Sequence, residues 1–197
     1  MGQKIAILLL TASDVADKGE PLLVVTDGQD LLSQTTKCAV STGVPVYITI
    51  ATKRMALAKA ISREPVTIIP LPKKCSGMPG AIREGIRSLP VGLGGVLIML
   101  AGMARLTAND LEVLLTHFAE LGATRTICAT DDTGHPGFPI VLPSRYFRRA
   151  AKMKASESVF RLTHHQDLSL VRLTNGHAKT DVTLPVGWVA WRAGRWR

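Results

Sequence analysis

Ile5-Ala6-Ile7-Leu8-Leu9-Leu10 is an unbroken apolar run near the start of the chain, and its reading decides the fold. A strand with one face in water alternates polar and apolar residues, whereas a strand covered on both faces stays apolar throughout. Further short runs repeat the pattern at Val44 to Ala51, Val66 to Leu71, Val96 to Leu100 and Thr126 to Ala129. Between them, Leu31 to Thr42, Arg54 to Arg63, Gly80 to Leu89 and Ala108 to Leu121 place apolar residues three or four apart, which is helical spacing. Thr107 is placed to cap the last of these, with Asp110 in its first turn. Strand and helix alternate, and that order predicts right-handed crossovers and a mostly parallel sheet: a three-layer α/β/α sandwich, Rossmann-like in plan.

The pattern loosens after residue 131. Asp131-Asp132-Thr133-Gly134-His135-Pro136-Gly137-Phe138-Pro139 gathers turn formers and predicts a long functional loop before Ile140 to Leu142. A basic helix is expected around Ser144 to Lys154, a second helical piece up to His165, a strand at Leu168 to Leu173 and a turn at Asn175-Gly176. There is no internal repeat and no low-complexity linker, so residues 1–197 read as a single domain, with a core over 1–130 and a lobe plus tail over 131–197.

Composition agrees with a packed protein. The chain has 197 residues, 46% apolar and 20% charged, and chains of this size bury about 70% of the surface they expose when unfolded. Cys38, Cys75 and Cys128 form no CxxC pair and have no histidine neighbour, so neither a disulfide framework nor a zinc site is indicated and a reducing, cytoplasmic setting is expected. Val91 to Met103 falls short of the roughly 20 apolar residues that span a bilayer. The first apolar run is too short for a signal peptide and lacks an AxA site, and Ala6 stands where myristoylation at Gly2 would want Ser or Thr. The net charge of +9 favours anionic ligands. Basic residues are scattered in twos, at Lys53-Arg54, Lys73-Lys74 and Arg148-Arg149, so nucleic acid is not the expected partner. Trp188 to Arg197 alone interleaves Arg with Trp, which suits a terminus packing its tryptophans on the body.

Ligands of an open parallel sheet bind beyond the carboxyl ends of its strands, which directs attention to the loops after residues 10, 51, 71, 100 and 130. The segment Thr11 to Pro21 contains only Gly19, and no GxGxxG or Walker pattern occurs in the chain. Ser13 lacks a GxSxG elbow and reads as a helix cap. His164-His165 with Asp167 reads as a solvated turn, because adjacent side chains diverge. Asp131-Asp132 suits a cation and turn chemistry equally. Met99 and Met103 read as core fillers.

Nearly the whole chain resembles the MobA-like nucleotidyltransferases, which attach GMP or CMP to molybdopterin. That family opens with LAAGxSxRMGxxK, then LL, a glycine and LL; here Leu8-Leu9-Leu10-Thr11-Ala12-Ser13 precedes Leu22-Leu23, Gly28 and Leu31-Leu32 at similar spacing. Its GMxxSxRxGL resembles Gly77-Met78-Pro79-Gly80-Ala81-Ile82-Arg83-Glu84-Gly85-Ile86, and its LGDMP strand end resembles Leu100-Ala101-Gly102-Met103-Ala104 ahead of Thr107. Its GxxGHPxxF loop is matched by Gly134 to Leu142, with Gly137-Phe138-Pro139 in the GHP place on spacing to the following helix and His135-Pro136 as the alternative; GDxGxR by Ser156 to Arg161; and the closing DIDTPEDW by Asp181 to Trp188. The resemblance implies a nucleotide-diphospho-sugar transferase-like fold, with the nucleotide in the 1–130 core and the acceptor on the 131–197 side. It carries nucleotide binding to Leu10, Thr11, Ala12, Ser13, Lys18, Gly77, Met78 and Gly102.

Several chemical positions depart from the family. Its glycine, arginine and lysine correspond to Thr11, Val15 and Glu20, and its magnesium-binding aspartate corresponds to Gly102. The last motif keeps Asp181, a candidate metal ligand, but has Thr183 and Gly187 in place of acids. Phosphoryl transfer depends on positioned cations and metal, and losing one such contact typically costs about 10²-fold to 10³-fold in rate. Lys18, Lys73, Lys74 and Arg83 are the nearby cations left to meet phosphate, and Asp14, Asp17, Asp131 and Asp132 the oxygen donors left for Mg²⁺. The expectation is a transferase scaffold with catalysis lost or altered, no catalytic residue assigned, and Mg²⁺ needed only if activity persists. A nucleotide or pterin cofactor and a molybdoenzyme or its maturation machinery are the expected partners. The alternatives are an active transferase using a phosphorylated pterin acceptor, and a noncatalytic adaptor acting through the Arg/Trp tail.

Overall fold

A computed structural model describes residues 4–11, 20–26, 28–73, 75, 77–130, 134–163, 165–173 and 177–178. The elements run β1 (Ile5–Leu10), β2 (Val25–Thr26), β3 (Gln29–Asp30), α1 (Leu31–Val40), β4 (Val46–Ala51), α2 (Met55–Ala60), β5 (Val66–Leu71), α3 (Gly77–Ser88), β6 (Gly95–Leu100), α4 (Ala108–Glu120), β7 (Thr126–Thr130), β8 (Pro136–Pro143), α5 (Phe147–Ala150) and β9 (Leu168–Arg172).

The main sheet has seven strands in the order β5-β4-β1-β6-β8-β7-β9. The pairs β1/β4, β4/β5, β1/β6 and β7/β9 are parallel, while β8 runs against both β6 and β7. The mostly parallel α/β architecture expected from the alternating runs is therefore present. Every residue of β6 is buried, and because successive strand side chains point to opposite faces, both faces of the sheet centre are covered. β5 is an edge strand and behaves differently, with Ile68 38% exposed.

Helix placement follows local chemistry. Thr107 and Asp110 form a reciprocal capping box at the start of α4: the Thr107 amide donates to Asp110 Oδ2 at 2.8 Å, and the Asp110 amide to Thr107 Oγ1 at 3.2 Å. At α1, the Asp30 carboxylate accepts from the amide of Ser33 at 2.9 Å and from its hydroxyl at 2.7 Å. Two close approaches require glycine. A Cβ on Gly85 of α3 would lie 2.6 Å from the Leu8 side chain of β1, and one on Gly95 of β6 would lie 2.6 Å from the Phe118 ring of α4. α3 thereby seats directly over the central strand, which brings the loop before it to the carboxyl edge of the sheet.

The second part of the chain differs from its sequence reading. Pro136 to Pro139 belongs to β8 and not to a long loop, although residues 131–133 lie outside the described residues. Two extra residues, Phe138 and Pro139, fall in a bulge: Cys128 pairs with Ile140 and Ala129 with Gly137. A bulge is where a strand tolerates proline, which cannot donate to the ladder, so turn-forming composition concealed a strand. The basic helix expected over 144–154 is only a 3₁₀ turn, Ser144–Tyr146, and the four-residue α5, and the piece up to His165 consists of 3₁₀ turns. β8 and β9 sit in the same sheet as β1, so residues 136–172 share their core with the first half. The Asn175-Gly176 turn lies outside the described residues.

Candidate functional site

The chain steps outward from β1 to β4 to β5 and then returns to β6 on the other side of β1, so the topological switch falls between β1 and β6. Diverging loops open a crevice beyond the strand ends at such a point. Leu10, Thr11 and Gly102 meet there. The Ala101 amide donates to the Leu10 carbonyl at 2.9 Å, fixing the two strand ends side by side. Gly102 is buried, and the amide of Ala104 donates to its carbonyl at 3.0 Å.

Thr11, standing where the resembling family has glycine, turns its side chain away from this edge. Its hydroxyl is buried and donates to the Thr49 carbonyl of β4 at 2.6 Å. Its own carbonyl accepts from Arg54 Nη1. Arg54, in the loop between β4 and α2, also donates through Nε to Glu20 Oε2 at 2.7 Å and through Nη2 to Glu20 Oε1. One guanidinium thus grips Thr11 and, in bidentate fashion, Glu20. Both members of the pair keep partial contact with solvent, at 17% and 26% exposure for the Arg54 and Glu20 side chains.

Sequence reasoning missed this arrangement by treating Lys53-Arg54 as one scattered basic pair. Its position shortly after the carboxyl end of β4 marks Arg54 as a candidate for this edge, but does not point to Glu20 as its partner.

The other expected residues spread along the same edge. Lys73 is exposed after β5, and Gly77 opens α3 with φ +63°. Met78 lines an apolar cavity of about 220 Å³ with Ile82, Met153, Val159 and Phe160. Arg83 donates to Glu84 at 3.0 Å and to the Met153 carbonyl at 3.2 Å, so it fastens α3 to the segment that closes this cavity. Ala12, Ser13, Lys18, Lys74 and Asp181 lie outside the described residues. Met99 and Met103 are core residues, as expected. Asp167 accepts from the Tyr146 hydroxyl at 2.7 Å and pairs with Arg145 at 3.2 Å, while His164 and the side chain of His165 are outside the description.

The magnesium implied by the resemblance does not fit the described residues. Gly102 supplies no side-chain oxygen. Asp110, buried after β6, is already held by Thr107 and lies 2.7 Å from His177 Nδ1. Among the described residues no group of three His, Cys, Asp or Glu side chains could hold a metal ion, and no helix is long and apolar enough to cross a membrane.

Two thiols away from this edge, Cys128 on β7 and Cys38 on α1, are strongly shifted. Burial pushes Cys128 from 9.0 up to about 12; burial, aided by Asp110, pushes Cys38 from 9.0 up to about 11. Well below pH 9 both thiols are protonated in either state and contribute no pH dependence. As pH rises through 9 towards 12, the unfolded chain releases protons that the native chain retains, so stability falls. The urea midpoint is expected to decline across that window, and less steeply in Cys128→Ala. An unchanged slope in the variant would refute the assignment.

Comparison with known proteins agrees with this geometry. Residues 17–170 match the model of the MobA-like NTP transferase domain. No curated protein matches the sequence. Among solved structures, Rv0371c from Mycobacterium tuberculosis H37Rv superposes with a TM-score of 0.78 at 16% identity, covering 98% of this chain and 97% of that one. A nucleotidyl transferase from Methanothermobacter gives 0.75 at 13% identity, covering 98% of each chain. Molybdopterin-guanine dinucleotide biosynthesis protein A from Archaeoglobus fulgidus gives 0.67 at 13% identity, covering 97% of this chain and 99% of that one. At these identities the likeness establishes the fold, of the nucleotide-diphospho-sugar transferase type.

Proposed function

This chain belongs to the MobA-like NTP transferase family, and from that premise we propose that it binds a nucleotide, free or within a pterin dinucleotide, at the β1/β6 crevice without efficient nucleotidyl transfer. One observation carries the reading. At the paired ends of β1 and β6, Gly102 stands where the family's metal-binding aspartate corresponds, while Glu20, where its lysine corresponds, is a carboxylate bound to Arg54. Charge developing on a transferring phosphoryl group needs cations and metal fixed in advance; here the metal-binding carboxylate is replaced by Gly102, and Arg54, the described cation beside the crevice, is already paired with Glu20. The backbone that cradles a nucleotide does not depend on those side chains, so binding survives their loss more readily than chemistry does. The same reading makes a pterin-type cofactor, or a molybdoenzyme in maturation, the natural client.

Calorimetric titration with GTP, CTP and ATP, each with and without Mg²⁺, is expected to show binding of at least one nucleotide that changes little when the metal is added. No pyrophosphate is expected when a phosphorylated pterin acceptor is supplied. Magnesium-dependent pyrophosphate release would overturn the proposal.

A further inference from the structure

We propose that the Arg54 guanidinium is a phosphate-recognition site held by an internal competitor, the Glu20 carboxylate, which an incoming phosphate group must displace. The inference deepens the nucleotide-binding reading and rests on it for the identity of the anion. It rests on geometry for the site itself.

Three features support it. Arg54 Nε and Nη2 meet the two oxygens of Glu20, and this fork matches two oxygens of a phosphate as well as those of a carboxylate. Arg54 Nη1 is tied independently to the Thr11 carbonyl, so the guanidinium keeps an anchor when Glu20 leaves. The pair lies at the carboxyl end of β1, beside the switch point, with both side chains partly open to solvent. A purely structural ion pair has no need of that position. A partly buried cation deprived of its bidentate partner is poorly solvated, which makes it a strong acceptor of a new anion.

Glu20 thereby sets a threshold. An anion reaching Arg54 competes with a carboxylate tethered in the same chain, whose effective concentration is high. A phosphate carrying greater negative charge and more acceptor oxygens displaces it, and a carboxylate ligand gains no such advantage. The device selects polyphosphate over simple acids at a position where the resembling family has a lysine.

The test compares wild type, Glu20→Gln, Glu20→Gln/Arg54→Gln and Glu112→Gln by calorimetric titration with inorganic tripolyphosphate at low salt, with thermal unfolding as the control for folding. Glu20→Gln keeps the side-chain shape and one acceptor while removing the charge. It is expected to bind tripolyphosphate at least about tenfold tighter than wild type. The second substitution should abolish the gain, and Glu112→Gln, on the exposed face of α4, should bind as wild type does. Arg54→Lys, which retains charge but loses the fork, replaces Arg54→Gln if the latter does not fold.

No gain in Glu20→Gln, a gain that persists without Arg54, or an equal gain in Glu112→Gln would each overturn the proposal. If the gain occurs but GTP, CTP and ATP fail to compete, the anion site stands and the nucleotide reading falls. If nucleotides bind wild type and neither Glu20 nor Arg54 alters their affinity, the anion site falls alone.

Discussion

Phe118→Ala is expected to destabilise the protein by about 3–5 kcal/mol, the range for removing a fully buried aromatic ring. Phe118 is 0% exposed and lies against β6 at Gly95, where even a methyl group would sit 2.6 Å from the ring. The ring therefore fills space that no side chain of β6 occupies, and its loss leaves a cavity that the rigid strand cannot close. With a urea slope of about 2 kcal/mol/M, the midpoint should fall by about 1.5–2.5 M. Gly95→Val should approach the same loss by overpacking, because its Cβ alone would already meet both the ring, at 2.6 Å, and the Leu142 carbonyl oxygen, at 3.2 Å. Combining Gly95→Val with Phe118→Ala should then cost less than the sum of the two, since each relieves the other. A loss below about 1 kcal/mol for Phe118→Ala, or strict additivity of the pair, would refute this account of the β6–α4 contact.

Gly102→Asp carries the largest expected functional effect. Wild-type nucleotide affinity is expected to vary little with Mg²⁺, whereas the variant should gain an affinity at least about tenfold higher with Mg²⁺ than without it. Magnesium is commonly held by one or two carboxylates together with the substrate's phosphates, so one new carboxylate beside bound phosphates is enough to recruit it. The position is favourable because the Ala101–Leu10 hydrogen bond fixes the end of β6 against β1. Gly102 also lies outside the left-handed region of backbone space, so a side chain imposes no φ strain there. Paired titrations with and without the metal read the result. An affinity as indifferent to magnesium as that of wild type would place the phosphates away from the β6 end.

The sheet was legible in the sequence because its core strands carry one physical signal, continuous apolar side chains, which Ile5 to Leu10 and Val96 to Leu100 display without interruption. The capping residues of α4 were legible for a similar reason: Thr107 and Asp110 act over a single turn. β8 was obscured because its prolines advertise a turn while a bulge lets them sit in a ladder. The Arg54–Glu20 contact was beyond reach for another reason. Its members are 34 residues apart and meet only because β4 lies beside β1, and nothing local at either position signals that juxtaposition. Gly102 and Thr11 were identified through their correspondence to a family pattern, but the sequence did not reveal that the Thr11 hydroxyl turns inward to Thr49.

The reversed strand β8 has a further consequence for synthesis on the ribosome. β7 has no partner on the β6 side until residues 136–143 have emerged, because β8 fills the place between them. A nascent chain from which β6 but not β8 has emerged exposes the outer edge of β6, whose unpaired backbone N–H and C=O groups, flanked by apolar side chains, invite pairing with other chains. The interval that ends when Phe138, Pro139 and the rest of β8 have emerged is thus one in which this edge is open to aggregation.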